Sequence, residues 1–309
     1  MKNRGKILVV AIFLAYLHFG FSADLLEMIK KINENNLKGY VQPLITSFGE
    51  ATGSGLYHTA QTHNLLGFDI GLKAMWIPIP KDAKTFVAKV MALSSNLADT
   101  IFIDETTATV FGESGQDPVS APSGYYPIPS VFPGGLNLPG LPFVMPQLSV
   151  GLIKGSEVML RYIPLPFEEA KVQIFGVGIK AGLNNLFGLK FLPVDVAVQG
   201  VYQVFNIGDI VKSSTFCANI HTSKTFSVLT PYLGIGYENT NMNFAYDFNY
   251  QVPGQTQPIT QSINISLSGE NHFRMVVGLS LKFAVFLIHA DYNLAKYPSF
   301  NGGLGLTFR

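Results

Sequence analysis

The chain has a single cysteine, Cys217, so no disulfide can form within it. That excludes a small secreted scaffold held by disulfides. Charge is scarce too. Asp, Glu, Lys and Arg make up 13% of the 309 residues, about half the usual share of roughly 25%. With 21 Lys and Arg against 20 Asp and Glu, there is no basic surplus to favour nucleic acid as a partner. Beyond residue 22 no apolar run approaches the ~20 residues of a membrane-spanning helix.

Chemical motifs are missing as well. His58 and His63 are five apart, outside both the HExxH pattern and the i,i+4 zinc pair. "FGESG" around Ser114 lacks the GxSxG spacing of a nucleophile elbow. "ATGSG" and "GLNLPG" are glycine-rich but have no P-loop lysine, and they read as turns. No catalytic residue, metal site or cofactor is expected, and the chain reads as a non-enzyme.

Other features are present. Lys2, Arg4 and Lys6 precede an apolar run from Ile7 to Tyr16, with Gly20 and Ser22 before Ala23. This is the pattern of a secretory signal peptide over residues 1–22. Removing its three cations leaves 18 Lys and Arg against 20 Asp and Glu, a net charge of −2. Residues 23–37 place Leu25, Met28, Ile29 and Ile32 at helical spacing, which predicts a short amphipathic helix. Residues 23–64 read as an N-terminal periplasmic segment, or as a plug inserted in a pore.

From residue 65 to 309 the apolar period becomes two. In "LGFDIGLKAMWIPIP", Phe68, Ile70, Leu72, Ala74 and Trp76 alternate with Asp69, Gly71, Lys73 and Met75. A Pro/Gly-rich stretch at about 79–145 interrupts the pattern and reads as a long loop, with short strands near Ile101 and Ala108. The alternation then returns in about ten segments. One phase slip near Glu238 suggests a β-bulge. Turns at 153–156 and 284–285 read as short, and connections at 205–213 and 249–260 as longer.

The polar face is rich in Gly, Asn, Gln and Ser with isolated charges, and aromatics gather near strand ends. Those are marks of a transmembrane barrel with a polar interior and aromatic girdles. The fold class expected is all-β: a transmembrane antiparallel β-barrel of about ten strands (range 8–14) with a short N-terminal helix. Parity turns Lys73, Glu157, Arg161, Lys180, Asp195, Gln199, Arg274, Lys282, His289 and Asp291 toward the lumen. Their charges would pair across a narrow lumen or line a water path. His289 and Asp291 share one strand face and read as part of a hydrogen-bond network. Leu279 is expected on the lipid side and Ser280 on the lumen side.

"GLYHTAQTHNLLGFDIGLKA", "PQLSVGLIKGSEVMLRYIP" and the ending "SLSGENHFRMVVGLSLKF…ADYNLAKY…GGLGLTFR" resemble an exported outer-membrane barrel family of unknown function from Bacteroidetes-type bacteria. That family lies loosely near the FadL-like fatty-acid transporters. The resemblance implies residence in the bacterial outer membrane, with outer-membrane lipid and the barrel-assembly machinery as partners. It also implies passage of a small apolar ligand through a narrow channel. A structural or surface-interaction barrel is the alternative, and a barrel enzyme acting on lipids is a further one.

Overall fold

In a computed structural model of the protein, the structure describes residues 24–96, 98–165, 172–188, 191–251 and 256–308. The expected signal peptide lies outside them.

Ten antiparallel strands close a barrel. In chain order, with the strands outside the barrel included in the numbering, they are β1 (Phe68–Pro78), β7 (Gly140–Gly151), β8 (Ser156–Leu165), β9 (Val172–Gly182), β10 (Asp195–Ile207), β11 (Val211–Ser223), β12 (Leu229–Tyr250), β14 (Phe273–Phe283), β15 (Phe286–Leu294) and β16 (Ser299–Phe308). β1 pairs with β16 on one side and β7 on the other. β11 pairs with β12 and completes the ring. Closure leaves no strand edge in the ring, which is what a bilayer demands of a sheet.

Side-chain parity holds along each strand. Outward positions of β1 are Phe68, Ile70, Leu72, Ala74 and Trp76, and inward ones include Asp69, Lys73 and Met75. The outer wall carries an apolar band with aromatics at both margins. Trp76, Tyr162, Phe175, Tyr202, Phe216, Tyr237, Phe273 and Phe300 form the upper margin, and Phe68, Phe283, Phe286 and Phe308 the lower. Neighbours touch within each margin. The Tyr237–Phe273 ring centroids are 5.5 Å apart and those of Phe68 and Phe308 are 4.9 Å apart. The margins stand eight residues apart on β1. That is ~27 Å of strand and, at a tilt of ~40°, a band of about 20 Å, close to the ~25 Å of transmembrane barrels.

Above the upper margin the pattern inverts. Outward residues of β12 change from Leu233, Ile235 and Tyr237 to Asn239, Asn241 and Asn243, while inward ones change from Gly234 and Glu238 to Met242, Phe244 and Phe248. The β11–β12 register runs unbroken from Ser223↔Tyr232 to Val211↔Phe244. The expected bulge at Glu238 is therefore absent. The hydrophobicity changes sides because the surroundings do: below Glu238 the outer wall is apolar and the lumen polar, and above it the apolar core is inside.

That core belongs to a dome at the end where β1 finishes. The stretch 79–139, expected to be mostly loop, builds β2 (Thr85–Ser94), β3 (Thr100–Ala108) and β5 (Tyr125–Ile128) into one sheet, and β4 (Gln116–Pro118) and β6 (Val131–Pro133) into a two-stranded one. β7 begins at Gly140, inside the stretch read as loop, because Pro142 and Pro146 sit on outward positions of a paired strand. The upper half of β12 rises into the dome and pairs there with β13 (Ile259–Ser268).

The opposite end carries connections at 152–155, 183–194, 224–228 and 284–285. Short and long connections do not alternate between the two ends. β10 and β11 are joined on the dome side by a turn at 208–210, not a long loop, and 183–194 is a longer connection on the other side.

Residues 24–29 form a helical segment, α1. A second helix, α2 (Glu34–Gly53), follows, with Asn33 as N-cap accepting from the Asn36 N–H at 3.2 Å. The helical content thus extends well past the short element predicted.

Candidate functional site: the filled lumen

α2 descends from the dome into the barrel. Near its start the Asn36 side chain bonds Lys89 of the dome, and the Tyr40 hydroxyl donates to the Gly134 carbonyl at 2.9 Å. Leu37, Val41, Leu44, Ile45 and Phe48 then pack among inward apolar side chains of the upper wall. Phe48 lies 4.1 Å from Phe205 and 5.4 Å, edge-on, from Phe143. A buried phenylalanine contributes roughly 1.5–3 kcal/mol, so this layer is a strong apolar seal.

Below the seal the contacts turn polar. The Glu50 carboxylate accepts from Ser299 Oγ at 2.7 Å and Asn271 Nδ2 at 3.1 Å. Burial pushes its acid up to about 7, against the pull of Arg274 and of the hydrogen bonds from Ser299 and Asn293. Gly49 and Gly53 lie against the Glu238–Arg274 pair, whose N–O distance is 3.1 Å. A Cβ at either glycine would collide with those side chains, so the helix presents bare backbone to an ion pair. Arg161 closes the helix end. Its Nη1 donates to the Thr52 carbonyl at 2.9 Å, its Nη2 to that of Ser54 at 3.0 Å, and its Nε to Gln147 at 2.9 Å. A guanidinium there satisfies terminal carbonyls and meets the negative end of the helix dipole. Gln203 adds a bond to Thr52 at 2.6 Å.

Residues 54–67 continue down the lumen and leave it at β1. Tyr57 stacks on His221 at 3.9 Å. His63 meets Glu157 through its backbone N–H at 2.6 Å and its Nδ1 at 2.8 Å, and its Nε2 lies 3.1 Å from Thr307. Lys180 pairs with the same Glu157 at 2.7 Å and donates to the Gln61 carbonyl. Gln61 in turn donates to Asp195 at 2.8 Å. Each buried charge here has an opposite or hydrogen-bonding partner, which burial requires.

The ten residues assigned to the lumen by parity all fall on inward positions. Nine of them form three groups. Lys73 Nζ lies 2.8 Å from His289 Nε2. Asp291 accepts from Tyr232 at 2.8 Å and Asn301 at 2.6 Å, with His289 Nδ1 at 3.6 Å. Glu157, Lys180 and Asp195 hold residues 61–63. Arg161 holds the helix end, Gln199 bonds the Leu56 carbonyl after it, and Arg274 pairs with Glu238 beside Gly53. Lys282 lies outside these three groups, half-buried near the turns. His289 Nε2 thus faces the Lys73 amine, and its Nδ1 faces Asp291.

Glu50, Tyr57, Tyr232 and Glu238 were not assigned to the lumen from the sequence. Tyr232 and Glu238 left a signal through strand parity, as did Gln203, which falls on the polar face of β10 with Asp195 and Gln199. The cavity beside Tyr57, His58 and Gln199 holds about 10 Å³, room for about one water.

The fold and its interior define a closed β-barrel filled by its own N-terminal segment. The chain belongs to a family of unknown function, DUF6588, whose model matches residues 1–308. No curated protein matches it. Among solved structures, it is similar to CdiB from Acinetobacter baumannii at 8% identity and a TM-score of 0.20, covering 80% of this chain and 61% of that one. The chain therefore spans about three fifths of CdiB. It is also similar to the transport unit of the autotransporter AIDA-I from Escherichia coli at 9% identity and a TM-score of 0.26, covering 87% and 99%. Scores that low carry no activity from either protein to this one.

Proposed function

We propose that this protein is an outer-membrane barrel that rests closed and holds its dome on the cell surface as an interaction module. The observation that carries this reading is the filled lumen: α2 and residues 54–67 occupy it and are bonded to the wall along their length. The apolar band and its two aromatic margins support the membrane setting. The dome grows from the longest connection, residues 79–139, and the longer loops of such barrels face outside. Passage of small apolar compounds, the reading suggested by the FadL-like resemblance, finds no route among the described residues in this state. The lower lumen is also lined by charges and amides, which suit an apolar permeant poorly.

The test is surface labelling. Because Cys217 is buried, a Cys217→Ser background accepts single reporter cysteines. Cysteine at Ser114 on the dome should react with a membrane-impermeant maleimide on intact cells. Cysteine at Asn185, near the opposite end, should react only after the outer membrane is permeabilised. The reverse pattern, or equal labelling at both sites, would refute the orientation.

A further inference from the structure

β13 ends its sheet. It pairs with β12 and, among the described residues, with no strand on its other side. The Gly269 N–H donates to the Thr240 carbonyl, and the unbroken register carries that parity up the strand. Ile263, Ile265 and Leu267 therefore bond β12, while Thr260, Ser262, Asn264 and Ser266 turn their N–H and C=O groups to the open side. All four are exposed. Hydroxyls fasten the strand to β12. Thr260 donates to Asn249 at 2.6 Å, Ser262 to Asp247 at 2.7 Å and Ser268 to Asn241 at 2.7 Å. Open edges recruit other strands, and natural sheets blunt them with charge, proline, a bulge or shortness. The dome does so elsewhere: β3 carries Asp104 and Glu105, and β5 is four residues long and contains Pro127. β13, "ITQSINISLS", runs for ten residues with no charge, proline or glycine.

We infer that this edge takes up an extended segment of a partner protein as an added strand, and that the segment carries an acidic residue. The inference deepens the interaction-module reading and rests on it. Backbone pairing to an exposed edge is a recurring mode of peptide recognition. The acidic residue follows from α2. Gln42 Nε2 donates to the Ser268 carbonyl at 2.9 Å, which puts one face of the helix at the foot of the open edge. Lys38 is one turn further up that face, with Asn35 above it, and both are exposed. Lys38 forms no ion pair among the described residues, so an added strand passing it gains from a carboxylate. A second copy of the chain fits worse. Antiparallel pairing of β13 with its counterpart sets the two-fold axis perpendicular to the sheet. β12 runs as one strand from the apolar band into the dome, so that sheet stands upright on the membrane. The axis would lie in the membrane plane and turn the second barrel upside down.

The experiment pans a phage-displayed library of linear dodecapeptides on the full chain in nanodiscs. Asn264→Pro is the control, because it removes one N–H on the open side and keeps the bonds to β12. Its heat-shifted mobility on a gel shows that it is folded. Panning should enrich peptides that bind the parent and not Asn264→Pro. They should carry Asp or Glu, and Lys38→Glu should weaken them roughly tenfold. N-methylation of alternate peptide residues should abolish binding in one phase and spare it in the other, because one edge of an added strand does the pairing. Absence of enrichment, equal binding to Asn264→Pro, or tolerance of both N-methyl phases would overturn the inference. So would dimers of the parent that Asn264→Pro dissociates, which would give the edge to a second copy. Failure of the surface reading looks different. Purified protein binds peptide whichever way the dome faces, and the label at Ser114 on intact cells reads the orientation alone.

Discussion

Arg161 of the barrel wall donates from Nη1 to the carbonyl oxygen of Thr52, 109 positions earlier in the chain, at 2.9 Å. The same guanidinium reaches Ser54 and Gln147. One side chain thus ties the end of α2 to β8 at mid-lumen. Arg161→Met keeps much of the volume and removes the donors to the Ser54 carbonyl and to Gln147 Oε1, while the Thr52 carbonyl keeps only Gln203. The expected cost is about 2–4 kcal/mol, measured as a drop in denaturant midpoint of the barrel in detergent. Unchanged stability would mean that the helix end is held by other contacts.

The lipid face makes a depth-dependent prediction. Leu279 is outward and exposed within the band, and Asn239 is outward just above the aromatic margin. Leu279→Arg should cost roughly 2–4 kcal/mol and Asn239→Arg roughly 0–1 kcal/mol, compared by reversible unfolding in lipid. Ser280 is a poor control, because its Oγ donates to the His58 carbonyl at 3.1 Å in a packed lumen. Equal costs at Leu279 and Asn239 would remove the bilayer from the account.

Glu50 supplies a pH dependence. Its acid is raised from 4.5 to about 7 by burial, so the folded state holds a proton that the unfolded chain releases earlier. The stability linked to Glu50 is full below about 4.5 and is lost as pH rises through about 7. The unfolding midpoint of the parent protein should fall between pH 5 and pH 8. Glu50→Gln, which keeps an acceptor toward Asn271 and Ser299 and cannot ionise, should flatten that fall. A parent profile that rises with pH would contradict the assignment.

Much of the wall was legible in the sequence because a barrel strand faces two solvents in alternation. Phe68 to Trp76 and Phe273 to Phe283 show this without any tertiary information. Two parts were not legible, for one shared reason. The pattern at Glu238 read as a slip because the apolar side of the wall changes from outside to inside at the aromatic margin, and a local window cannot tell that from a bulge. α2 was cut short because a helix surrounded by barrel wall shows no polar stripe: Thr46, Ser47, Thr52 and Gly53 are as buried as Leu44 and Ile45. Parity found which wall residues face inward. It could not find their partners, because Thr52, Gln61 and His63 come from a segment with no period of its own.

The most direct test of a barrel closed by its own N-terminus is ion conductance in a planar bilayer. The intact protein should insert and stay silent. A variant lacking residues 34–64, shown to be folded by its heat-shifted mobility on a gel, should conduct through the vacated lumen. Steady conductance by the intact protein would contradict the account, as would silence from the folded deletion variant.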